Sequence, residues 1–411
     1  VSEDHDQARK PALAPSEPRE SPQASAKLRE ELAAARVKLL RERAALRETI
    51  EANAKLVKRV QKLEYALEPR LMSVLTLRPL RAAFAIRNRL KREQAEALAA
   101  PAHSQAEDAD DASNPARKIV AHVREAASQR AITKKDGGAP DLGVAVFAHD
   151  RSAFAASVLE GLALQNGLAN VHVWIDGDQG NPKKRAEIDI VHDCVKEFPV
   201  KAVHRNRGNF GFRKVMLLSM KYMMQHYEKI LFLEDDCFPS QDALSEFSRA
   251  LDAVKNDDGV FSVYGHPFLI PNEEAGTARF QGWGWATTAQ KLERVWPELL
   301  DCYMMTESEY LAFVDGKLTP EIEAAIDVTP PRQPTATLKK FFAWDETLGL
   351  LTALRGMHHK PSRQRVIYNF GMSPKSAHFG PAEQFRKPPF NMIAFDEIWD
   401  HYAARSPEAT D

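Results

Sequence analysis

Lys229-Ile230-Leu231-Phe232-Leu233-Glu234-Asp235-Asp236-Cys237-Phe238-Pro239-Ser240 decides the fold of this chain. The first part is short and apolar and is ended by turn residues, so it reads as a buried strand. Three successive carboxylates at its C-terminal end call for a cation opposite them. Ligands of open α/β sheets gather at such strand ends, and carboxylate oxygens are hard ligands suited to Mg²⁺ or Mn²⁺. The competing structural reading is an acidic turn before a helix over Gln241–Lys255, with Ser240 as N-cap and Asp242 in its first turn.

Upstream, strands and helices alternate. Strands are expected at Leu142–Phe147, Val171–Ile175, Val200–Val203 and Ile230–Leu233, with helices at Ala153–Gln165, Pro182–Glu197 and Phe212–Tyr227. Repeated βα units predict a mostly parallel sheet with helices on both faces. Residues 141–258 form the expected ligand-binding half. Residues 259–390 mix short strands, aromatic loops and helices as a second, partner-facing half, and 391–411 read as a tail.

The N-terminal third is organised differently. Residues 1–26 carry almost no large apolar side chain and read as disordered. Over 27–67 neither Gly nor Pro occurs, and Leu32, Ala35, Leu39, Leu46, Leu56, Val60, Leu63 and Leu67 fall on one heptad seam. That pattern predicts a coiled coil that makes a homo-oligomer, with Asn53 as a register-setting polar residue in its core. Residues 68–99 interleave arginines with Leu71, Leu75, Phe84 and Ile86, suiting an anionic membrane surface or docking on the folded domain. The Pro- and Gly-bearing stretch 100–140 reads as a linker.

Formal net charge is -1, so no global field favours nucleic acid. Three scattered cysteines, Cys194, Cys237 and Cys302, have no metal-type spacing and build no disulfide framework. No apolar stretch approaches the ~18 to 20 residues of a membrane span. Cytoplasmic residence, with peripheral contact at the inner membrane face, is the expectation.

Three strands end in polar residues on one sheet edge: His149-Asp150-Arg151, Asp176-Gly177-Asp178 and Glu234-Asp235-Asp236. Between them, Arg205-Asn206-Arg207-Gly208-Asn209-Phe210-Gly211-Phe212-Arg213-Lys214 is a basic glycine loop feeding a helix N-terminus, a setting that favours phosphate. Taken alone, such a loop reads sooner as a surface turn with solvated arginines; the neighbouring acids turn the reading toward phosphate.

This layout resembles the GT-A glycosyltransferases, which bind a nucleotide-diphosphate sugar on a Rossmann-like sheet. Within them it is similar to the inverting N-acetylglucosaminyltransferase I group. The resemblance is carried by Leu233-Glu234-Asp235-Asp236, Gly282-Trp283-Gly284-Trp285-Ala286, Trp344-Asp345-Glu346, Asn369-Phe370-Gly371 and Ser376-Ala377-His378-Phe379-Gly380, in that order. The coiled coil is similar instead to that of bacterial surface-polysaccharide transferases.

The resemblance implies a Mn²⁺- or Mg²⁺-dependent inverting glycosyltransferase, with a nucleotide-diphosphate sugar as donor and a glycan or lipid-linked acceptor. Asp236 and His378 become the metal-side candidates. His149, Asp176, Arg205, Arg207, Lys214, Glu234, Asp235, Trp283 and Trp285 become donor-side candidates. Glu346 takes the general-base position in an ungapped reading, and a slip of one residue exchanges it with Asp345. Each has a plainer alternative: Asp345 as a helix cap, either Trp as core, His378 as a buried histidine. A sugar-phosphate nucleotidyltransferase is a competing enzyme, although Phe147-Ala148-His149-Asp150-Arg151 is not the glycine loop that class needs after its first strand. A coiled-coil scaffold with a non-catalytic sugar-nucleotide domain is the non-enzymatic alternative.

Overall fold

The computed structural model describes residues 114–130, 132, 134, 139–178, 180–206, 208–266, 276–327, 333–373, 380 and 382–404. The expected disordered segment, coiled coil and basic segment lie outside the described residues, as do Arg207 and His378.

The described chain opens on α1 (Pro115–Ser128), inside the stretch read as a linker. Pro115 breaks nothing here: it occupies the first turn, where no amide hydrogen is needed, and the Asn114 side chain accepts from Ala116 N at 2.9 Å. Ala116, Val120, Val123 and Ala127 form its buried stripe.

Next come β1 (Leu142–Ala148), α2 (Ser152–Ala163), β2 (Val171–Ile175), α3 (Pro182–Lys196), β3 (Ala202–Arg205), α4 (Phe212–Met224) and β4 (Lys229–Glu234). The acidic strand is followed by a short β5 (Cys237–Pro239) and by α5 (Ala243–Val254). The second half adds β6 (Val260–Tyr264), β7 (Trp285–Thr288), α6 (Ala289–Met304), α7 (Glu307–Lys317), α8 (Pro320–Ile326), α9 (Pro334–Leu338), α10 (Trp344–Ala353), β8 (His358–Pro361), β9 (Ile367–Asn369) and α11 (Ile398–Ala403).

Seven strands form one sheet in the order β3-β2-β1-β4-β7-β6-β8. The first four are parallel, β7 runs antiparallel to β4 and β6, and β8 is parallel to β6. This is the expected α/β, Rossmann-like class with a mostly parallel sheet. Strands β1, β2, β4 and β6 are almost wholly buried because both faces are covered, whereas the edge strands β3 and β8 carry polar residues and are only partly buried. Alternation divides them: Val144 and Val146 of β1 and Leu231 and Leu233 of β4 join the core under α1, α2, α3, α5 and α11. Ala145, Phe147, Ile230 and Phe232 join the opposite core under α4, α6, α7 and α10.

The second half therefore extends the sheet as well as flanking it. Its last described piece also returns to the first half. Trp399 and Tyr402 of α11 pack on Phe238, and Tyr402 Oη donates to Gly161 O at 3.1 Å. The stretch read as a tail thus buries Met392, Ile393 and Ile398 along with those aromatics. Among the described residues no helix is long and apolar enough to cross a membrane.

Candidate active site at the strand ends

Pairing of β1 with β4 sets Phe147 opposite Glu234, and pairing with β2 sets Ala148 opposite Ile175, so the three polar strand ends share one edge. The acidic-turn reading of the triplet does not hold. Strand β5 separates it from α5, and Ser240 lies before that helix with Oγ buried and without a hydrogen bond. β5 pairs with β9, so the chain after β9 returns to the triplet: Phe370 N donates to Asp236 O at 3.0 Å. A Cβ on Gly371 would come within 2.5 Å of Asp236 Oδ2, so a larger residue there would displace that carboxylate.

Opposite the triplet stands Arg151, at the N-terminal end of α2. Its guanidinium donates through Nη1 to Asp236 Oδ2 at 2.9 Å and through Nη2 to Asp235 Oδ1 in a shorter contact. All three side chains are largely buried, at 19%, 15% and 5% exposure. Burial works to lower the Arg151 pKa, but the two carboxylates outweigh it and hold the guanidinium charged. The sequence called for a cation and placed Arg151 on the same edge without assigning it a role. Strand order supplies the contact: β1 and β4 are neighbours, and Arg151 lies just beyond the end of β1.

Among the described residues one guanidinium does not balance the acids. Burial, then repulsion from Asp236, raises Glu234 well above the usual carboxylate range; Asp235 and Asp345 add to it against Arg151. Asp235 is likewise raised by burial, with Arg151 working against that rise. Asp345 at the start of α10 therefore lies within electrostatic reach of Glu234 across the edge. Glu346 is buried and acts on Tyr310 of α7, whose hydroxyl bonds Thr347 at 2.9 Å. Asp345 thus acts on Glu234 across the edge, and Glu346 acts on Tyr310.

The donor set fits a hard divalent cation in a particular way. Asp235 Oδ2 is buried with no hydrogen-bond partner, and the acids outnumber the guanidinium. Among the described residues no group of three or more His, Cys, Asp or Glu could hold a metal ion by itself. A cation here would take one or two carboxylate oxygens and complete its shell with phosphate and water, as Mg²⁺ and Mn²⁺ commonly do.

The remaining residues named from the sequence divide by position. His149 lies close enough to Asp235 to act on it, with Nε2 3.4 Å from Gly177 O. Asp176 has both carboxylate oxygens taken by the glycine loop. Oδ1 accepts from Gly177 N, Asn206 Nδ2 and Phe210 N at 2.9 to 3.1 Å, and Oδ2 accepts from Gly211 N at 2.8 Å. It fixes the loop instead of offering a free oxygen. Gly177 lets that loop close in, because a Cβ there would meet the Gly208 backbone at 2.4 Å.

Arg205 pairs with Asp189 of α3, toward the sheet's edge. Lys214 Nζ sits 4.4 Å from the centroid of the Phe210 ring. Trp283 is half-buried beside His266, with ring centroids 5.2 Å apart. Trp285 is core: it is fully buried in β7 and stacked on Phe232 at 4.5 Å, so no sugar face can reach it. Sequence reasoning left that choice open because a Gly-Trp-Gly-Trp run does not say which tryptophan the pleat turns inward.

No family model matches the chain, and no curated protein matches its sequence. Solved structures that resemble it include a mannosyltransferase from Pyrobaculum calidifontis in complex with GDP-Man and Mn²⁺, at 15% identity and TM-score 0.30, over 44% of this chain and 57% of that one. A cytidylyltransferase from Leptospira borgpetersenii serovar Hardjo-bovis matches at 17% identity and TM-score 0.24, over 38% of this chain and 63% of that one. GalNAc-T7 with UDP, GalNAc and Mn²⁺ matches at 10% identity and TM-score 0.28, over 38% and 36%. Each likeness spans less than two thirds of the known protein's length and carries no argument about activity.

Proposed function

We propose that this chain is a metal-dependent inverting glycosyltransferase that moves a sugar from a nucleotide-diphosphate sugar to a hydroxyl of a glycan or lipid-linked acceptor, in surface-polysaccharide assembly. One observation carries the proposal: among the described residues Glu234, Asp235, Asp236 and Asp345 share a strand-end site with a single guanidinium, and a buried oxygen of Asp235 is left unbonded. Such an excess of buried carboxylate has a high desolvation cost unless a further cation joins it.

Asp236 and Asp235 would hold Mn²⁺ or Mg²⁺, and a bound cation would neutralise the charge that develops on a departing diphosphate. The chain's own residues do the rest. Asp345 is the general base, aimed at the acceptor hydroxyl across from Glu234. Glu346, buried on the Tyr310 side, supports the turn that presents Asp345. Glu234 hydrogen-bonds a sugar hydroxyl. His149 and the Asp176 end of β2 wall the nucleotide. The coiled coil over 27–67 assembles copies of the chain, and 68–99 brings the active site to an anionic membrane.

Thermal stabilisation by a panel of nucleotide sugars and nucleoside diphosphates with Mn²⁺ tests the assignment. At least one base should raise Tm in a metal-dependent way. Asp236→Asn should abolish that dependence and lower transfer by about 100-fold or more. If no nucleotide stabilises the wild-type protein, the assignment is wrong.

A further inference from the structure

Among the described residues the exposed large hydrophobic side chains are Phe210, at 44%, and Phe212, at 40%. Single exposed apolar residues are ordinary, but these two flank one glycine and lie at the rim of the strand-end site. Gly211 has φ of 78°, which turns the chain so that α4 begins at Phe212. Phe210 N and Gly211 N both donate to the buried carboxylate of Asp176, so the segment is held in place from below. Phe212 is edge-on to Phe147 at 5.6 Å and to Trp344 at 6.2 Å, and Trp344 precedes Asp345. Phe210 carries Lys214 over its ring.

A rigid, partly exposed aromatic rim beside a general base has a chemical counterpart. The C–H face of a pyranose is apolar and weakly positive, and it stacks on the electron-rich face of an aromatic ring. We infer that Phe210 and Phe212, positioned by Asp176, form the platform on which a pyranose ring of the acceptor stacks while Asp345 faces its hydroxyl. The inference rests on the sugar-transfer function proposed above. It commits the rim to the acceptor because Phe212 adjoins Trp344, at the start of the helix that presents the base.

The full-length protein, its Phe212→Ala, Phe212→Leu and Phe210→Ala variants and Asp176→Asn are compared in two measurements. Nucleoside diphosphate binding with Mn²⁺ is followed by thermal shift. Binding of the methyl glycosides of glucose, galactose, mannose and N-acetylglucosamine, with diphosphate present, is followed by saturation-transfer NMR and titration. At least one glycoside should bind the wild type. Phe212→Ala should weaken it about tenfold, Phe212→Leu nearly as much because the flat face is lost, and Phe210→Ala by a smaller factor. Asp176→Asn should weaken it too, with faster amide exchange at Phe210 and Gly211 marking a positioning role.

Diphosphate binding should stay within about twofold in the Phe variants. Loss of diphosphate binding in Phe212→Ala would assign the ring to the nucleobase and overturn the inference. So would unchanged glycoside binding, wild-type behaviour of Phe212→Leu, or failure of every glycoside to bind a wild type that does bind diphosphate. A wild type that binds no nucleotide at all would sink the sugar-transfer function itself.

Discussion

At Arg151 the internal counter-ion and the expected metal compete for the same oxygens. The guanidinium holds Asp236 Oδ2 at 2.9 Å and also occupies Asp235 Oδ1. Breaking a buried pair by removing one partner leaves uncompensated charge, at a cost of about 3 to 5 kcal/mol. Arg151→Gln should therefore be markedly destabilised without metal and should bind free Mn²⁺ about tenfold more tightly than wild type. An electron paramagnetic resonance titration of Mn²⁺ without donor reads this directly. Equal or weaker Mn²⁺ binding in the variant would show that Arg151 supports the cation instead of opposing it. This residue shows why the site was only partly legible: the carboxylates are adjacent in sequence, whereas their cation arrives from another strand.

Elements β2, β3 and α4 bury an imidazole cluster away from the strand ends. His172 Nδ1 and His204 Nε2 lie 3.1 Å apart, His172 Nε2 is 2.8 Å from Tyr227 Oη, and Trp174 stacks on His204 at 4.0 Å. Burial, followed by His204, His226 and Lys201, lowers the His172 pKa to about 4. An unfolded histidine titrates near 6.5, so between pH ~6.5 and ~4 the unfolded chain binds a proton that the folded chain refuses. The resulting stability is whole above pH ~6.5 and is lost as pH falls toward ~4, at up to about 1.4 kcal/mol per pH unit for one such group. Buried His266 and His359, each lowered to about 3 chiefly by burial, act in the same direction. Urea midpoints should fall steadily from pH 7 to pH 4.5, and His172→Gln should show a shallower decline whatever its absolute stability. An equal slope in the variant would mean that His172 is protonated in the folded state. The elements themselves were legible because βα alternation depends on local patterns. Helix α1 was read as linker because its buried stripe is made mostly of alanine and valine, and Pro115 looked like a breaker when it opens the helix.

On the scale of the whole molecule, the fold is tied together by segments that looked peripheral. Helix α1 joins α2 and α3 through Arg124–Glu160 at 3.1 Å and Arg117–Glu197 at 3.2 Å, over its buried alanines and valines. Burying Val120 and Val123 contributes on the order of 4 kcal/mol as an upper bound. A chain beginning at Asp141 should therefore melt well below one beginning at Asn114. The latter should keep the domain's stability yet lose the oligomeric mass of the full-length protein. Light scattering and calorimetry on the three chains check both statements. An unchanged mass at Asn114 would remove the coiled coil as the assembly element, and equal melting of the two shorter chains would remove α1 from the folded unit.

By itself the sequence determined the α/β alternation, the strand that ends in Glu234-Asp235-Asp236 and the glycine loop before α4, since each is written in neighbouring residues whose periodicity or turn chemistry is local. Only the tertiary structure decided that Arg151 faces the triplet, that Asp345 comes within reach of Glu234, that Asp176 anchors a loop and that Trp285 is core. Those outcomes depend on strand order, on register and on the phase of a helix, which bring together groups far apart along the chain and carry no signature in either partner's own neighbourhood.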